Sequence, residues 1–173
     1  DRIISIGDYA FYNCNGLTSI SFPNTLKTIS NKVFWGCSGL TSVMFPDSLE
    51  TIGNYVFIDC KSLTSVDLSR CVKLKTIAAD SFNSCYNLTS VDLSRCVKLE
   101  TIGKNAFYNC NRLQVVVFPE SLETIDHSAF WECSDLISID LSRCVQLINI
   151  EDDVFNNCYN LTSVDLSRCV KLE

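Results

Sequence analysis

Eleven cysteines carry most of the reactive chemistry of this chain, and they fall on two repeating positions. Seven follow a phenylalanine by three residues, and four close the sequence Asp-Leu-Ser-Arg-Cys. The first series is Cys14, Cys37, Cys60, Cys85, Cys110, Cys133 and Cys158, and the second is Cys71, Cys96, Cys144 and Cys169. Neither series has the spacing of a zinc site. A disulfide framework joins unlike loops, whereas a repeating position sets each cysteine beside its own copy. We therefore interpret them as reduced, stacked thiols.

Groups for acid–base or nucleophilic catalysis are sparse. His127 is the only histidine, and it lies in a variable turn without a matching nucleophile or an orienting carboxylate. The sequence contains no Gly-rich phosphate loop and no zincin pattern. Residues that recur in every repeat are accounted for by the structure of the repeat, so they do not indicate a catalytic site. We predict that the chain is not an enzyme and needs no cofactor.

Four aspartates at one repeat position raise the question of a metal site. They are Asp67, Asp92, Asp140 and Asp165. Neighbouring copies would bring two carboxylates together, but calcium needs six or more oxygens. An arginine follows each aspartate by three residues and offers a neutralising partner instead: Arg70, Arg95, Arg143 and Arg168. We favour structural pairing and predict no metal site.

The element that must position these residues is a repeat of 23 to 25 residues. Its phenylalanines are Phe11, Phe34, Phe57, Phe82, Phe107, Phe130 and Phe155. Such a period is typical of a solenoid. Each copy contains Leu-x-x-Ile/Val-x-Leu/Phe, a leucine-rich-repeat strand, then an extended back segment and a Phe-x-x-Cys turn. Because positions i and i+3 share one face of a helical turn, we predict an α/β leucine-rich solenoid. It would be a right-handed superhelix of about seven coils, with a parallel sheet on one face and short helical or 3₁₀ turns opposite.

The repeat has two lengths, 23 and 25 residues, because the segment that follows the strand occurs in a short and a long version. The short version ends the strand with proline, as at Phe22-Pro23, Phe45-Pro46 and Phe118-Pro119. Proline cannot donate to a strand ladder, so it closes the strand. The long version, Leu-Ser-Arg-Cys-Val-Lys/Gln-Leu, inserts two residues and takes a cysteine into the turn.

Composition and charge limit the partners. The chain has 173 residues, 47% of them hydrophobic, and a net charge of −6 without a basic cluster along the sequence, so we predict no nucleic-acid partner. Its longest apolar run, residues 115–118, is too short to insert into a bilayer. The chain begins and ends in mid-repeat. We expect residues 1–173 to form a single array, a fragment of a longer one that lacks both caps.

The segment Leu99 to Pro119 carries a family resemblance. Its pattern, Leu-x-x-Ile-Gly-x-x-Ala-Phe-x-x-Cys-x-x-Leu-x-x-Val-x-Phe-Pro, resembles the BspA-like, or treponemal, class of leucine-rich repeats, and related copies fill the chain. The coils with Asp-Leu-Ser-Arg-Cys look like cysteine-containing leucine-rich repeats. The resemblance implies a secreted or cell-surface protein that adheres to host matrix proteins, to other cells or to other microbes.

Two surfaces are candidates for a partner. On the strand face most outward residues are Ser or Asp, which is typical of a solvated sheet. Coil five departs from this with Gln114, Val115 and Val117, beside Ile137 of coil six, and Met44 is an isolated exception. Exposed apolar residues on a polar surface can mark an interaction site, although neutral variation in a redundant array also explains them. The aspartates above lie on the same face.

The second candidate surface is an aromatic stripe on the turn side of the coils. Its members are Tyr12, Trp35, Tyr86, Tyr108, Trp131 and Tyr159. Such a stripe either seals the flank of the core or binds glycans or protein anchors.

We therefore hypothesise an extracellular or cell-surface adhesion module that binds matrix or cell-surface proteins, or glycans. One alternative is a structural spacer or self-associating surface array. Another is an intracellular scaffold, which reduced cysteines would suit.

Overall fold

The computed structural model describes residues 2–173, which form a solenoid with parallel strands on two sides, paired as one back sheet and, at the front, as a four-stranded and a two-stranded sheet that we together call the front sheet. The back sheet consists of two-residue strands: β1 (Ser5–Ile6), β2 (Thr28–Ile29), β4 (Thr51–Ile52), β6 (Thr76–Ile77), β8 (Thr101–Ile102), β10 (Thr124–Ile125) and β12 (Asn149–Ile150). The front strands are β3 (Ser42–Met44), β5 (Ser65–Asp67), β7 (Ser90–Asp92), β9 (Val115–Val117), β11 (Ser138–Asp140) and β13 (Ser163–Asp165). The first four pair in order, β11 pairs with β13, and β11 contacts β9.

The prediction of a leucine-rich solenoid is confirmed, with two corrections. The seven Phe-x-x-Cys copies span six complete turns from β1 to β12 and a partial turn after it, rather than seven coils. The predicted back segment pairs into a sheet of its own, so sheets cover two sides. Each front strand alternates an inward Ile or Val with outward residues that are mostly Ser or Asp, because successive strand side chains point to opposite faces.

The helical or 3₁₀ turns were predicted wrongly. Residues 2–173 contain no helix, and so none that is long and apolar enough to cross a membrane. On the third side of the first coil, Tyr12 N–H donates to Tyr9 O (3.0 Å) and Cys14 N–H to Phe11 O (3.2 Å), which are β-turn bonds. Between them, Phe11 N–H donates to Val33 O of the next coil (2.9 Å). The amide of Phe11 therefore bonds to the next coil instead of to a helical turn of its own, and the fold is all-β rather than α/β.

Positive φ angles at two positions of every coil prevent a helix on this side. They occur two residues before and two residues after the repeat phenylalanine, at φ between 54° and 74°. The first position holds Tyr9, Lys32, Tyr55, Asp80, Asn105, Ser128 and Asp153, and the second holds Asn13, Gly36, Asp59, Ser84, Asn109, Glu132 and Asn157. A left-handed residue ends right-handed helical geometry, so the chain makes consecutive turns instead.

A substitution at Gly36 measures the energetic cost of the left-handed backbone at these positions. Its φ is 74°, and a Cβ there would lie 2.0 Å from Asn13 Oδ1. We expect Gly36→Ala to lower the free energy of unfolding by about 1–2 kcal/mol, measured by urea denaturation. Gly16→Ala is the matched control, because a Cβ at Gly16 meets no atom within 4 Å. Equal stability of the two variants would contradict the assigned strain.

A column of stacked phenylalanines forms the centre of the core. The seven repeat rings lie parallel with centroids 5.2 to 5.7 Å apart. The five from Phe34 to Phe130 are fully buried, and the inward residues of both sheets pack around them. Within the column each ring stacks only on the rings of the coils before and after it. Contacts between neighbouring coils therefore stabilise the array.

All eleven cysteines are free thiols. In the first series each Sγ from Cys37 to Cys158 donates to the carbonyl of the preceding coil's phenylalanine, at 3.0 to 3.3 Å. In the second series Cys96, Cys144 and Cys169 donate to residues 68, 119 and 141. The thiols therefore pack as small hydrophobes while satisfying carbonyls between strands. Burial raises the pKa of Cys37 to about 11 and of Cys110 to about 12.

The two repeat lengths produce two connections between the sheets. A short coil makes one turn, closed by Leu122 N–H donating to Pro119 O (3.3 Å). A long coil makes two, with Cys96 N–H donating to Leu93 O (2.9 Å) and Leu99 N–H to Cys96 O (2.9 Å). The long connection lies along the same edge of the solenoid as the short one but is two residues longer.

Candidate functional site

The exposed apolar residues of coil five lie on the front sheet. Val115 and Val117 are the outward residues of β9 and are 52% and 39% exposed, whereas Val116 between them points inward and is 6% exposed. They are paired in register with Ser90 and Asp92 of β7. An apolar pair therefore interrupts a polar sheet surface.

A break in a threonine ladder extends this apolar surface. In the earlier coils each threonine before the front strand donates its hydroxyl to the carbonyl of the previous one, as Thr64 Oγ1 does to Thr41 O (3.1 Å) and Thr89 Oγ1 to Thr64 O (3.4 Å). Gln114 and Ile137 occupy this position next, and Ile137 is 52% exposed. Gln114 keeps the backbone bond, since its N–H donates to Thr89 O (2.9 Å). We call Gln114, Val115, Val117 and Ile137 the coil-five patch.

Met44 lies apart from this patch. It is 59% exposed at the end of β3, opposite Asp67 of β5. Two strands, β5 and β7, separate β3 from β9, a distance of about 14 Å across the sheet. The structure therefore brings four of the five candidate residues together and leaves Met44 as a separate feature.

The four aspartates of the front sheet end their strands. The Oδ1 atoms of Asp67, Asp92, Asp140 and Asp165 accept the amide hydrogen two residues later, at 2.8 to 2.9 Å, in Asx turns. In coil six Ser142 Oγ also donates to Asp140 Oδ1 (2.6 Å). Hydrogen bonds from the serine hydroxyl and amide lower the pKa of Asp67, Asp140 and Asp165. One oxygen of each carboxylate is thus used by the turn.

The expected pairing of these aspartates with the arginines three residues later is wrong, and two of the four arginines pair across coils with other acids. Arg70 forms an ion pair with Asp47, and Arg143 with Glu120. In both cases the acid follows the proline of the preceding short coil. Over residues 2–173, no three His, Cys, Asp or Glu side chains are placed to share a metal ion.

The aromatic stripe is divided into separate groups. Tyr12 contacts Trp35 edge to face (centroids 5.7 Å apart), and Tyr108 stacks on Trp131 (6.2 Å). Tyr86 lies beneath Lys61 Nζ (5.9 Å to the centroid). Tyr159 is 76% exposed. The stripe is therefore not one continuous ladder.

Sequence reasoning missed a cluster around Lys32. Lys32 Nζ lies 5.2, 5.5 and 5.4 Å from the ring centroids of Tyr9, Trp35 and Tyr55, and it donates to the Tyr9 hydroxyl (2.9 Å). That hydrogen bond raises the pKa of Lys32. Tyr9, Lys32 and Tyr55 share the position two residues before the phenylalanine, where the backbone is left-handed. The tyrosine that recurs at this position, as Tyr9 and Tyr55, was the sequence signal that could have revealed the cluster. The ammonium already occupies the faces of these rings.

Contrary to the expectation from the sequence, a carboxylate orients the His127 imidazole. Its Nδ1 lies 2.8 Å from Asp126 Oδ1 and its Nε2 4.0 Å from Asp152 Oδ2 of the next coil. The hydrogen bond with Asp126 raises the pKa of the imidazole. The side chain is exposed on the turn side, where its contacts are with acidic residues.

Comparison with solved structures identifies similar solenoids. A leucine-rich repeat protein from Bacteroides ovatus is 32% identical with a TM-score of 0.84, over 95% of this chain and 41% of that one. The T. pallidum leucine-rich repeat protein is 27% identical with a TM-score of 0.77, over 90% and 78%. The pneumococcal vaccine antigen PcpA is 25% identical with a TM-score of 0.57, over 92% and 47%. The chain spans about two fifths of the length of the B. ovatus protein.

Comparison with curated proteins finds no match. The model of the BspA type leucine-rich repeat region matches residues 1–99 and 75–172 in six copies. These matches together cover nearly the whole chain, and they agree with the phenylalanine column, the strand register and the turns described above. The chain belongs to the BspA-type leucine-rich repeat family.

Proposed function

We propose that this chain is an adhesion and recognition module that binds a protein partner on its front sheet, at the cell surface or outside the cell. Leucine-rich repeat proteins are typically binding modules without catalysis. The observation that carries the proposal is the coil-five patch, in which Val115, Val117 and Ile137 are each 39% to 52% exposed. Contiguous exposed apolar residues within a polar surface are a mark of interaction sites.

The position of the patch suits a protein rather than a small ligand. The front sheet is a flat array of parallel strands, and its outward residues away from coil five are mostly serine and aspartate. An apolar centre with a polar surround is the arrangement of protein interfaces. The aspartates at the strand ends, together with Met44, would lie at its periphery. Matrix or cell-surface proteins are the partners that we propose.

Binding to a panel of immobilised matrix glycoproteins tests the proposal. We expect at least one to bind saturably, and Val115→Asp/Val117→Asp to weaken that binding at least tenfold, because two buried interface valines become unpaired charges. The matched control is Ser19→Asp/Ser21→Asp, which adds the same two charges at the equivalent positions of coil one. Surface plasmon resonance measures affinity, and circular dichroism checks the fold.

Each other result has a consequence. Binding that survives Val115→Asp/Val117→Asp would keep adhesion but move the site, and the aromatic groups of the turn side would be tested next, with glycans as well as proteins. Binding that is lost equally in the coil-one control would reflect net charge alone. No binding to any glycoprotein would contradict adhesion by this segment and favour a spacer or self-associating array.

A further inference from the structure

A notch interrupts the edge of the solenoid at coil five. Coil five is the only short coil of the sequence with a long coil on both sides. Its connection, residues 118–122, therefore lies two residues short of those at 93–99 and 141–147. The missing residues leave a groove of about 460 Å³ between the two longer turns. The notch is thus a direct consequence of repeat lengths of 25, 23 and 25.

The notch has one apolar side chain at its floor and one on each wall, surrounded by polar and charged ones: Ser94, Glu120, Ser121, Arg143 and Gln146. Phe118 forms the floor, with its ring 5.9 Å from that of Phe130 in an edge-to-face arrangement that fixes its orientation. Val97 of coil four and Val145 of coil six form the walls, and Val97 is 61% exposed. Phe118 is already only 4% exposed, so an apolar group that enters would mainly remove the two valines from water, which is the main source of binding energy at such sites.

Hydrogen bonds between coils hold the notch in shape. Ser121 Oγ donates to Leu99 O (2.8 Å) and lies 3.3 Å from Cys96 O, which ties the short turn to coil four. On the other side Arg143 pairs with Glu120 at the rim. A site that is already formed loses little conformational entropy when it binds.

The notch lies next to the coil-five patch along the chain. Val117 of the patch directly precedes Phe118 of the floor. On the back-sheet side a second groove of about 430 Å³ shares Val97 and Ser121 with the first and continues past Lys98. The two grooves meet at the residues that line both, and together they form a longer, shallow trough. A compact small molecule would stay largely exposed in such a trough, whereas an extended peptide chain fits along it.

We propose that the notch receives an aromatic or large aliphatic side chain from an extended segment of the protein partner. This inference rests on the proposed function, because the segment would continue from the partner bound on the coil-five patch. Its chemistry is set by the Phe118 floor and the valine walls, and the trough on either side accommodates the flanking backbone. The notch is then the anchor pocket of the interface and the front sheet its broader contact surface.

A phage-displayed library of random twelve-residue peptides is the probe for the test. We expect selection on the native chain to enrich peptides that share one aromatic or large aliphatic residue. Synthetic versions of these peptides should lose at least tenfold in affinity on Val97→Asp, measured by fluorescence anisotropy. The matched control is Val72→Asp, which changes the equivalent valine of coil three and should bind as the native chain does.

A second variant fills the notch without a new charge in a wall. Replacing residues 118–122 with the sequence of residues 93–99 converts coil five into a long coil, and coil four already stacks in this form on coil three. We expect the selected peptides to lose at least tenfold in affinity. The same replacement of residues 45–49 in coil two leaves the notch open and serves as the control.

The outcomes separate this inference from the proposed function. Failure to enrich any peptide, or enriched peptides that bind the filled variant as tightly as the native chain, would overturn the notch as an anchor pocket. If a matrix glycoprotein binds and needs Val115 and Val117 but tolerates the filled notch, the adhesion proposal stands and the anchor pocket is wrong. If no glycoprotein binds yet peptides select the notch, the pocket stands for a partner of another origin.

Discussion

The free energy of unfolding should fall steeply between pH 9 and pH 10.5, by about 10 kcal/mol per pH unit. The cause lies in eight thiols with no exposed surface: Cys37, Cys60, Cys71, Cys85, Cys96, Cys110, Cys133 and Cys144. Burial raises the pKa of Cys37 to about 11 and of Cys71, Cys96, Cys110 and Cys144 to about 12, and it raises the pKa values of the other three well above the ordinary range. In the unfolded chain each thiol has a pKa of about 8.5.

The direction of the effect follows from which state binds more protons. Below about pH 8.5 the thiols are protonated in both states, so stability is fully present. Above that pH the unfolded chain releases its thiol protons while the folded chain keeps them. Unfolding then releases about eight protons, each contributing about 1.4 kcal/mol per pH unit. Stability is lost until the pH reaches the folded-state pKa values.

Urea denaturation at a series of pH values, with a non-thiol reductant present, measures this slope. Cys85→Ala/Cys110→Ala should reduce it by about a quarter, because two of the eight protons are removed. Cys14→Ala should leave it unchanged, since the Cys14 side chain is exposed. A slope near zero in the native chain would mean that the buried thiols are hydrated or oxidised, which would contradict the packing of the cysteine columns.

The strands and core of this fold were predictable from the sequence, whereas the third side was not. Periodicity located the inward Ile, Val and Phe residues, since a side chain that recurs in every coil must meet its own copy. Phe and Cys three residues apart fit a helical turn and a β-turn equally well. The deciding factor is that amides such as Phe11 N–H bond to the next coil. Left-handed residues such as Tyr9 and Lys32 do not belong to the types that usually signal this conformation.

The candidate site was predictable only where it depends on strand alternation. Alternation placed Val115 and Val117 outward, and the structure shows them exposed; their role in binding stays a prediction. The notch depends on the length difference between neighbouring coils, and its lining comes from three coils, so no local pattern reveals it. The Lys32 cluster likewise combines three coils. Side chains that are 23 or 25 residues apart become neighbours only after the coils are stacked.

Unequal coil lengths connect the fold to the proposed function. Identical coils would give a featureless edge and a uniform polar front sheet, and neither surface would distinguish one partner from another. Coil five differs from its neighbours both in its outward valines and in its short connection. Both differences occur in one coil, so they create one asymmetric place in a repetitive molecule. Specific recognition requires such a place.

Removal of one ring from the centre of the phenylalanine column is expected to be the most destabilising single substitution. Phe82 is fully buried, with the rings of Phe57 and Phe107 each 5.3 Å away. We expect Phe82→Ala to lower the free energy of unfolding by about 3–5 kcal/mol, because it leaves a cavity and removes two stacking contacts. Urea denaturation measures the loss, and hydrogen exchange locates it.

Phe155→Ala is the matched control for the column. Phe155 is half-buried and stacks on Phe130 alone among the repeat rings, at 5.7 Å. We expect it to cost about half as much as Phe82→Ala, and Phe82→Leu to cost less than about 1.5 kcal/mol, because leucine keeps most of the volume. In an array stabilised between neighbours, amides on both sides of the Phe82→Ala substitution should exchange faster, while those of distant coils stay protected. Equal losses for Phe82→Ala and Phe155→Ala would contradict this expectation, because Phe155 is less buried and stacks on one repeat ring rather than two.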